Sequence, residues 1–274
     1  MAHTSDLQAR GKIILSDALE FAKQRWQRRL IAAYALGSLA HGGFSAASDI
    51  DIGLVLDDPL VETDSSNAAE LVGAIKASRK PFSDRLSVFW GSLASLSGAV
   101  AGGRFPPLDR LDLIQYGRLM SGTDVRKRLP PPTRQELVLA GAEFALRRLC
   151  TDEVVRQLKD PEALARLDSK SLTKLILFPV RFMYTAQTGE VGRNEAAVEH
   201  FSANIRGAPS ALARLALDWR NSTDWCGDAT AVQAISAGVI PIYLAFLSDY
   251  EERVVQFGRS DLGEAFQKWR RRLQ

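Results

Sequence analysis

Two aspartates one residue apart, Asp49 and Asp51, are the side chains of this sequence best suited to chemistry. On a β-strand, residues two apart leave the same face, so their carboxylates converge while Ile50 and Ile52 turn the other way into a core. A convergent carboxylate pair is a hard-oxygen site of the kind Mg²⁺ takes, with substrate phosphates completing the shell. Upstream, Gly37-Ser38 brings groups that suit a phosphate. Glycine lets the backbone approach an anion closely, and serine offers an N–H and a hydroxyl to phosphate oxygens. A glycine-rich turn before a polar strand edge would explain the glycines alone. Such an edge has no need of two like charges on one face.

These residues need two strands to hold them. The apolar run Ile31 to Leu36 leads into Gly37-Ser38, and Asp49-Ile50-Asp51-Ile52 runs into Gly53-Leu54-Val55-Leu56. Apolar runs bounded by Gly and Ser read as short buried strands, joined here by a small, polar, glycine-containing connection. Helical spacing over residues 6–29 predicts a helix ahead of the first strand, and residues 64–79 predict another after Pro59. Residues 84–90 read as a third strand, 109–119 as a short helix and 119–122 as a brief edge strand. Pro130-Pro131-Pro132 is the clearest breaker in the sequence. Beyond it, helical patterns fill residues 133–150, 152–166, 170–188, 194–205, 208–221, 228–256 and 261–273. Strands and helices followed by helices alone predict an α+β chain: a mixed-sheet domain over 1–130, then an all-α domain over 131–274.

The 274 residues suffice for one large domain or two ordinary ones. With 46% hydrophobic and 24% charged residues the composition is that of a soluble globular protein. A net charge of +3 is too small to argue for nucleic acid, and the basic end Lys268-Trp269-Arg270-Arg271-Arg272 reads as a solvated helix C-terminus. Cys150 and Cys226, with His3, His41 and His200, cannot build a disulfide framework or a Cys/His metal cluster. This suits a reducing cytoplasm, and residues 1–12 carry no signal-peptide core. Residues 229–248 are uncharged over a length that spans a bilayer. Their Gln233, Gly238 and Pro241 and their many alanines read instead as a buried, Pro-kinked helix, so no membrane is expected.

A strand, Gly-Ser, about ten residues and then Asp-x-Asp on the next strand resembles the signature of the polymerase-beta-like nucleotidyltransferase superfamily, with residues 39–48 filling the gap. Arg181-Phe182-Met183-Tyr184-Thr185, then Thr188-Gly189, Arg193 and Ala196-Ala197, resembles the helical domain of the streptomycin/spectinomycin aminoglycoside adenylyltransferases. The resemblance implies transfer of AMP from ATP, with two Mg²⁺ ions, to a hydroxyl of a small acceptor in a cleft between two domains. It implies that Asp49 and Asp51 hold the metals and that Ser38 holds the triphosphate. Asp49, Asp51 and Ser38 are then the catalytic candidates, and Gly37, Ser38, Ser48, Arg181 and Arg193 the nucleotide-binding ones. Arg193 stands where the family has lysine, which exchanges a point donor for a fork.

The sequence also departs from that family. A third acid is expected on the strand at 84–90, as a base for the attacking hydroxyl. The matching residues are Leu86-Ser87-Val88, and serine is a poor base at neutral pH. Asp84 falls on the opposite face of a regular strand, and Asp109 and Asp112 reach the site only from elsewhere in the fold. Met183 replaces the family's tryptophan, and its acid at the helix start falls near Ser171, with Asp168 close by. These departures keep two readings open: a Mg²⁺-dependent nucleotidyltransferase, and a nucleotide-binding sensor or partner-binding protein of the same superfamily that no longer turns over. His41 reads as a loop residue more than a phosphate ligand. Trp90, Trp219 and Trp225 read as core more than as stacking platforms for a base.

Overall fold

The computed structural model describes residues 2–220, 225 and 227–274. Cys226 and the last residue of the helix expected over 208–221 lie outside the described residues. The chain divides into two compact units, Met1–Pro132 and Thr133–Gln274.

The first unit is built on a mixed four-stranded sheet. In chain order it contains α1 (Ala2–Trp26), β1 (Leu30–Leu36), the one-turn helix α2 (Gly37–His41), β2 (Ile50–Leu56), α3 (Thr63–Ala77), β3 (Leu86–Ser92), a second short helix α4 (Leu93–Leu96), α5 (Pro107–Tyr116) and β4 (Arg118–Gly122). The strand order is β3-β2-β1-β4. β1 runs antiparallel to β2 and β4, and β2 runs parallel to β3. Both faces of the sheet are covered, which is why β1 and β2 read as nearly continuous apolar runs. Ala33 and Ala35 of β1 and Ile50, Ile52, Leu54 and Leu56 of β2 pack with Ile14, Ala18, Leu71 and Ile75 of α1 and α3. The opposite face carries Tyr34, Leu36, Val55 and Phe89, packed with Leu113 of α5 and with Val125 and Leu129. β2 thus sends its even residues toward α1 and α3. Asp51, one residue out of phase, falls on the α5 side.

The second unit, among the described residues, holds helices and no strand: α6 (Arg134–Arg148), α7 (Asp152–Leu158), α8 (Pro161–Ala165), α9 (Ser169–Thr188), α10 (Asn194–Asn204), α11 (Ala208–Trp219), α12 (Ala229–Gln256) and α13 (Ser260–Leu273). The chain is therefore α+β. α6 starts directly after the triple proline on a reciprocal cap, with the Thr133 hydroxyl accepting from the Glu136 N–H and the Glu136 carboxylate accepting from the Thr133 N–H. The single helix expected over 152–166 is broken in two, because Asp160 caps a new helix that starts on Pro161.

α12 has the length and apolarity of a membrane span. Here it packs on α6, α8, α9, α11 and α13, and Ile235, Val239, Ile242, Tyr243, Phe246 and Tyr250 are buried. Pro179 sits inside α9 and has no N–H for the Leu175 carbonyl one turn back. The Tyr243 hydroxyl of α12 donates to that carbonyl at 2.9 Å. A helix defect is thus satisfied from the neighbouring helix, and this contact registers α9 against α12. Burial pushes the pKa of the Tyr243 phenol upward, as for a hydroxyl that serves structure.

Candidate active site

The site forms where β1 hands over to α2. Leu36 is paired with Asp51 across the sheet, so the residue after Leu36 sits beside the Asp51 carboxylate. That residue is Gly37, with a φ of 61°. A Cβ there would stand 2.5 Å from Asp51 Oδ2. Both the left-handed backbone and the close carboxylate exclude a larger residue. Ser38 follows on α2, half-buried. Its carbonyl accepts from the Gly42 N–H at 3.0 Å and closes the single turn.

A serine loop leads from α2 back to the acids. The Ser48 hydroxyl accepts from the Ser45 N–H at 3.0 Å, and the Ser48 N–H donates to the Ser45 carbonyl at 3.0 Å. The Ser45 hydroxyl takes the Ala47 N–H at 3.2 Å. Arg85 donates to the Ala46 carbonyl from outside, with its guanidinium over the Phe82 ring. Ser48, a nucleotide-binding candidate, is buried, and its hydroxyl works inside this loop, which delivers Asp49 to the start of β2. Asp49 stands one residue before the strand, and Asp51 lies on it. Both are half-buried.

The parallel register with β3 sets Ser87 opposite Asp51. The two share the α5-facing side of the sheet, with serine next to the aspartate. Asp84 does not belong to this strand. It lies in a short 3-10 turn, Ser83–Arg85, and is exposed, so the strand begins two residues later than the spacing predicted. Phe82, at a φ of 70°, makes the break. His41 ends α2 with its ring edge-on to Tyr116 at 5.5 Å, and its Nδ1 is 3.1 Å from the Gly42 carbonyl.

A third carboxylate reaches the turn from α5. The Gly37 N–H donates to Asp112 Oδ2 at 2.6 Å. Asp112 is only 8% exposed, between the buried Leu111 and Leu113, and Asp109 lies a turn earlier and half-buried. No local pattern announces this contact, since the partners are 75 residues apart.

In the second unit Arg181 lies on α9, half-buried, with its Nε donating to the Gly192 carbonyl at 2.5 Å. Arg193 is the next residue, at the head of α10. One candidate arginine thus ties down the loop that carries the other. Asp168 caps α9, accepting from the Ser171 N–H at 3.0 Å and the Ser171 hydroxyl at 2.5 Å. Met183 is buried and lines a recess of about 160 Å³ with Tyr184, Gln187 and His200. Trp219 and Trp225 stack on each other at 4.8 Å, both buried, and Trp90 is buried in the sheet unit. These tryptophans belong to cores.

The donor chemistry fits Mg²⁺. Among the described residues no three His, Cys, Asp or Glu side chains are gathered to cage a metal. Mg²⁺ binds through one or two carboxylates plus substrate phosphates rather than in an all-protein cage, and Asp49 with Asp51 supplies such a pair.

Residues 15–87 match the family described as the nucleotidyltransferase domain. That span runs from α1 through Gly37-Ser38 and the two aspartates to Ser87. A spectinomycin adenyltransferase from Enterococcus faecialis, solved with ATP and spectinomycin, shares the fold at a TM-score of 0.55 and 14% identity, over 82% of this chain and 97% of that one. No curated protein sequence matches the chain significantly. The sheet register and the matched span agree: the residues that are similar to a nucleotidyltransferase domain are those that carry Gly37-Ser38, Asp49, Asp51 and Ser87 at one sheet.

Proposed function

We propose that the protein is a Mg²⁺-dependent nucleotidyltransferase that moves AMP from ATP onto a hydroxyl of a small, aminoglycoside-like acceptor in the cytoplasm. The observation that carries this reading is Gly37 pressed against the Asp51 carboxylate, with Asp49 two residues away. A phosphate-compatible turn and an acidic pair are built as one unit. The family match and the shared fold with an ATP-bound adenyltransferase support the same reaction class.

In the proposed reaction the acceptor oxygen bonds to the α-phosphorus while the bond from that phosphorus to the α–β bridging oxygen breaks. Pyrophosphate leaves, and the hydroxyl proton passes to water. Asp49 and Asp51 would hold the metal, and Gly37 and Ser38 would orient the triphosphate. Arg181 and Arg193 are assigned to nucleotide binding by charge. Bound Mg²⁺ supplies charge neutralisation at the phosphates and lowers the pKa of a bound hydroxyl. Ser87 beside Asp51 offers no carboxylate, so general-base help, typically worth about 10²–10⁴-fold, is absent there.

The same serine favours a second reading, a nucleotide sensor without turnover. One assay separates them: ATP, Mg²⁺ and a panel of hydroxyl compounds including streptomycin and spectinomycin, read as pyrophosphate release. Release that both Asp49→Asn and Asp51→Asn abolish establishes the enzyme. ATP-dependent thermal stabilisation without release from any acceptor establishes the sensor.

A further inference from the structure

We propose that Asp112 is a positioning residue of this site. By holding the Gly37 N–H it fixes the turn against which Asp51 packs, and so sets the acidic pair relative to the nucleotide. The functional part of this inference rests on the nucleotidyltransferase reading, whereas the structural part stands alone.

Gly37 is the junction between β1 and α2. An N–H in the first turn of a helix has no partner inside that helix, and Asp112 Oδ2 takes this one at 2.6 Å. A carboxylate acceptor at that distance makes a charge-assisted bond, stronger than a neutral one. On its other side Gly37 faces Asp51 Oδ2 so closely that a Cβ would not fit. The glycine is therefore clamped between two acids that arrive from different elements, and a shift of its backbone disturbs the Asp51 carboxylate directly.

The helix carrying Asp112 is itself well anchored. α5 starts on Pro107, Leu111 and Leu113 are buried, and Arg110 donates to the Leu96 carbonyl at 3.1 Å. The Gly117 N–H closes its far end onto the Asp112 and Leu113 carbonyls, both at 3.0 Å. Asp112 is buried with Oδ2 on the Gly37 backbone, while Ser87 is the neighbour of Asp51 in the sheet.

The test compares Asp112→Asn, which keeps an oxygen acceptor at the same reach, with Asp112→Leu, which keeps the size and removes the acceptor. Two readouts are taken: hydrogen exchange of the Gly37 amide without ligand, and affinity for a non-hydrolysable ATP analogue with Mg²⁺. In the leucine variant the amide should exchange about tenfold faster and the analogue bind about tenfold more weakly, while the asparagine variant, which keeps a neutral acceptor, should lose only about threefold on both. Should the leucine variant not fold, Asp112→Ser, too short to reach Gly37, takes its place. Unchanged exchange and affinity in the acceptor-less variant overturn the proposal, and so does an asparagine variant that loses as much as the leucine one. If wild type binds no analogue, the functional reading fails, and the Gly37 amide still decides whether Asp112 holds the turn.

Discussion

The two ends of the β1–β2 pair treat acidic side chains in opposite ways. At one end Asp64 is fully buried. It accepts from Trp26 Nε1 at 2.9 Å, from the Arg29 guanidinium at 2.6 and 3.0 Å and from the Val61 N–H at 2.8 Å. Burial alone would push its pKa up. The Arg29 guanidinium, the Val61 N–H and the Trp26 N–H carry it below the ordinary value instead. At the other end Asp51 and Asp112 converge on a glycine, Asp49 precedes the strand that carries Asp51, and Asp49 and Asp51 stay half-exposed. One end gathers donors around an acid, and the other gathers acids around a backbone turn. The first arrangement completes itself and ties the end of α1 and the turn before β1 to the start of α3. The second concentrates like charge, which costs stability unless a cation answers it. On the proposed reading, the difference separates a carboxylate that holds the fold from carboxylates that would meet a metal.

The largest expected effects break this contrast directly. Asp49→Asn or Asp51→Asn should lower the kcat/KM of pyrophosphate release by about 10³-fold or more, because on the proposed function each would remove a metal ligand. Their melting temperatures should change less than that of Asp64→Asn, since both side chains are half-exposed whereas Asp64 is fully buried. Asp64→Asn should do the reverse, costing about 3 kcal/mol of stability in denaturant unfolding while leaving kcat per folded molecule unchanged. An equal stability loss in the first pair, or an activity loss in the folded Asp64 variant, would erase the distinction. Next in size is Gly37→Ala, which forces a side chain into a left-handed backbone at about 1–2 kcal/mol and drives its Cβ against Asp51. Circular-dichroism melts should show the stability loss, and titration with the ATP analogue should show weakened binding beyond it.

The self-contained end was the harder one to read from the amino-acid order. Gly37-Ser38 and Asp49-Ile50-Asp51 were legible because local spacing and flanking apolar runs define them. The sheet followed from those runs, and the helices of the second unit from their period. The contacts that local spacing does not encode depend on distance or on short-range competition. Asp64 reaches Trp26 and Arg29 across 38 and 35 residues, and Asp112 reaches Gly37 across 75. No local pattern announces such pairs. Ser48 stands as a nucleotide-binding candidate by its place ahead of Asp49, and its hydroxyl also accepts from the Ser45 N–H and closes a turn. Serines three residues apart in a loop are a known local signal for that bond, and Asp160-Pro161 likewise marked the break between α7 and α8.

A smaller effect sharpens the comparison through pH. The folded Asp64 carboxyl lies below its ordinary value of 3.8. Its contribution to stability is therefore fully present above that value and is lost as pH falls through the folded pKa. Wild type should lose stability progressively in acid below about pH 4, and Asp64→Asn should show a flatter profile over the same window. Equal slopes in urea titrations of the two would mean that the carboxylate is not what Arg29 and Trp26 stabilise.

The smallest expected effect, and the most specific to chemistry, is Ser87→Glu. The register sets this residue beside Asp51 on the same face, where a carboxylate would stand next to the acidic pair. General-base help in a well-formed site is worth about 10²–10⁴-fold. A grafted side chain without supporting contacts should recover only about tenfold of it in the rate of pyrophosphate release. The variant also adds like charge to the acidic end, so its melting temperature without Mg²⁺ should fall slightly and recover when Mg²⁺ is added. A faster rate together with a Mg²⁺-dependent melt would place the new carboxylate among Asp49 and Asp51. A faster rate without the Mg²⁺ response would put its benefit elsewhere. An unchanged rate in a folded variant would mean that the position beside Asp51 is not where the acceptor loses its proton.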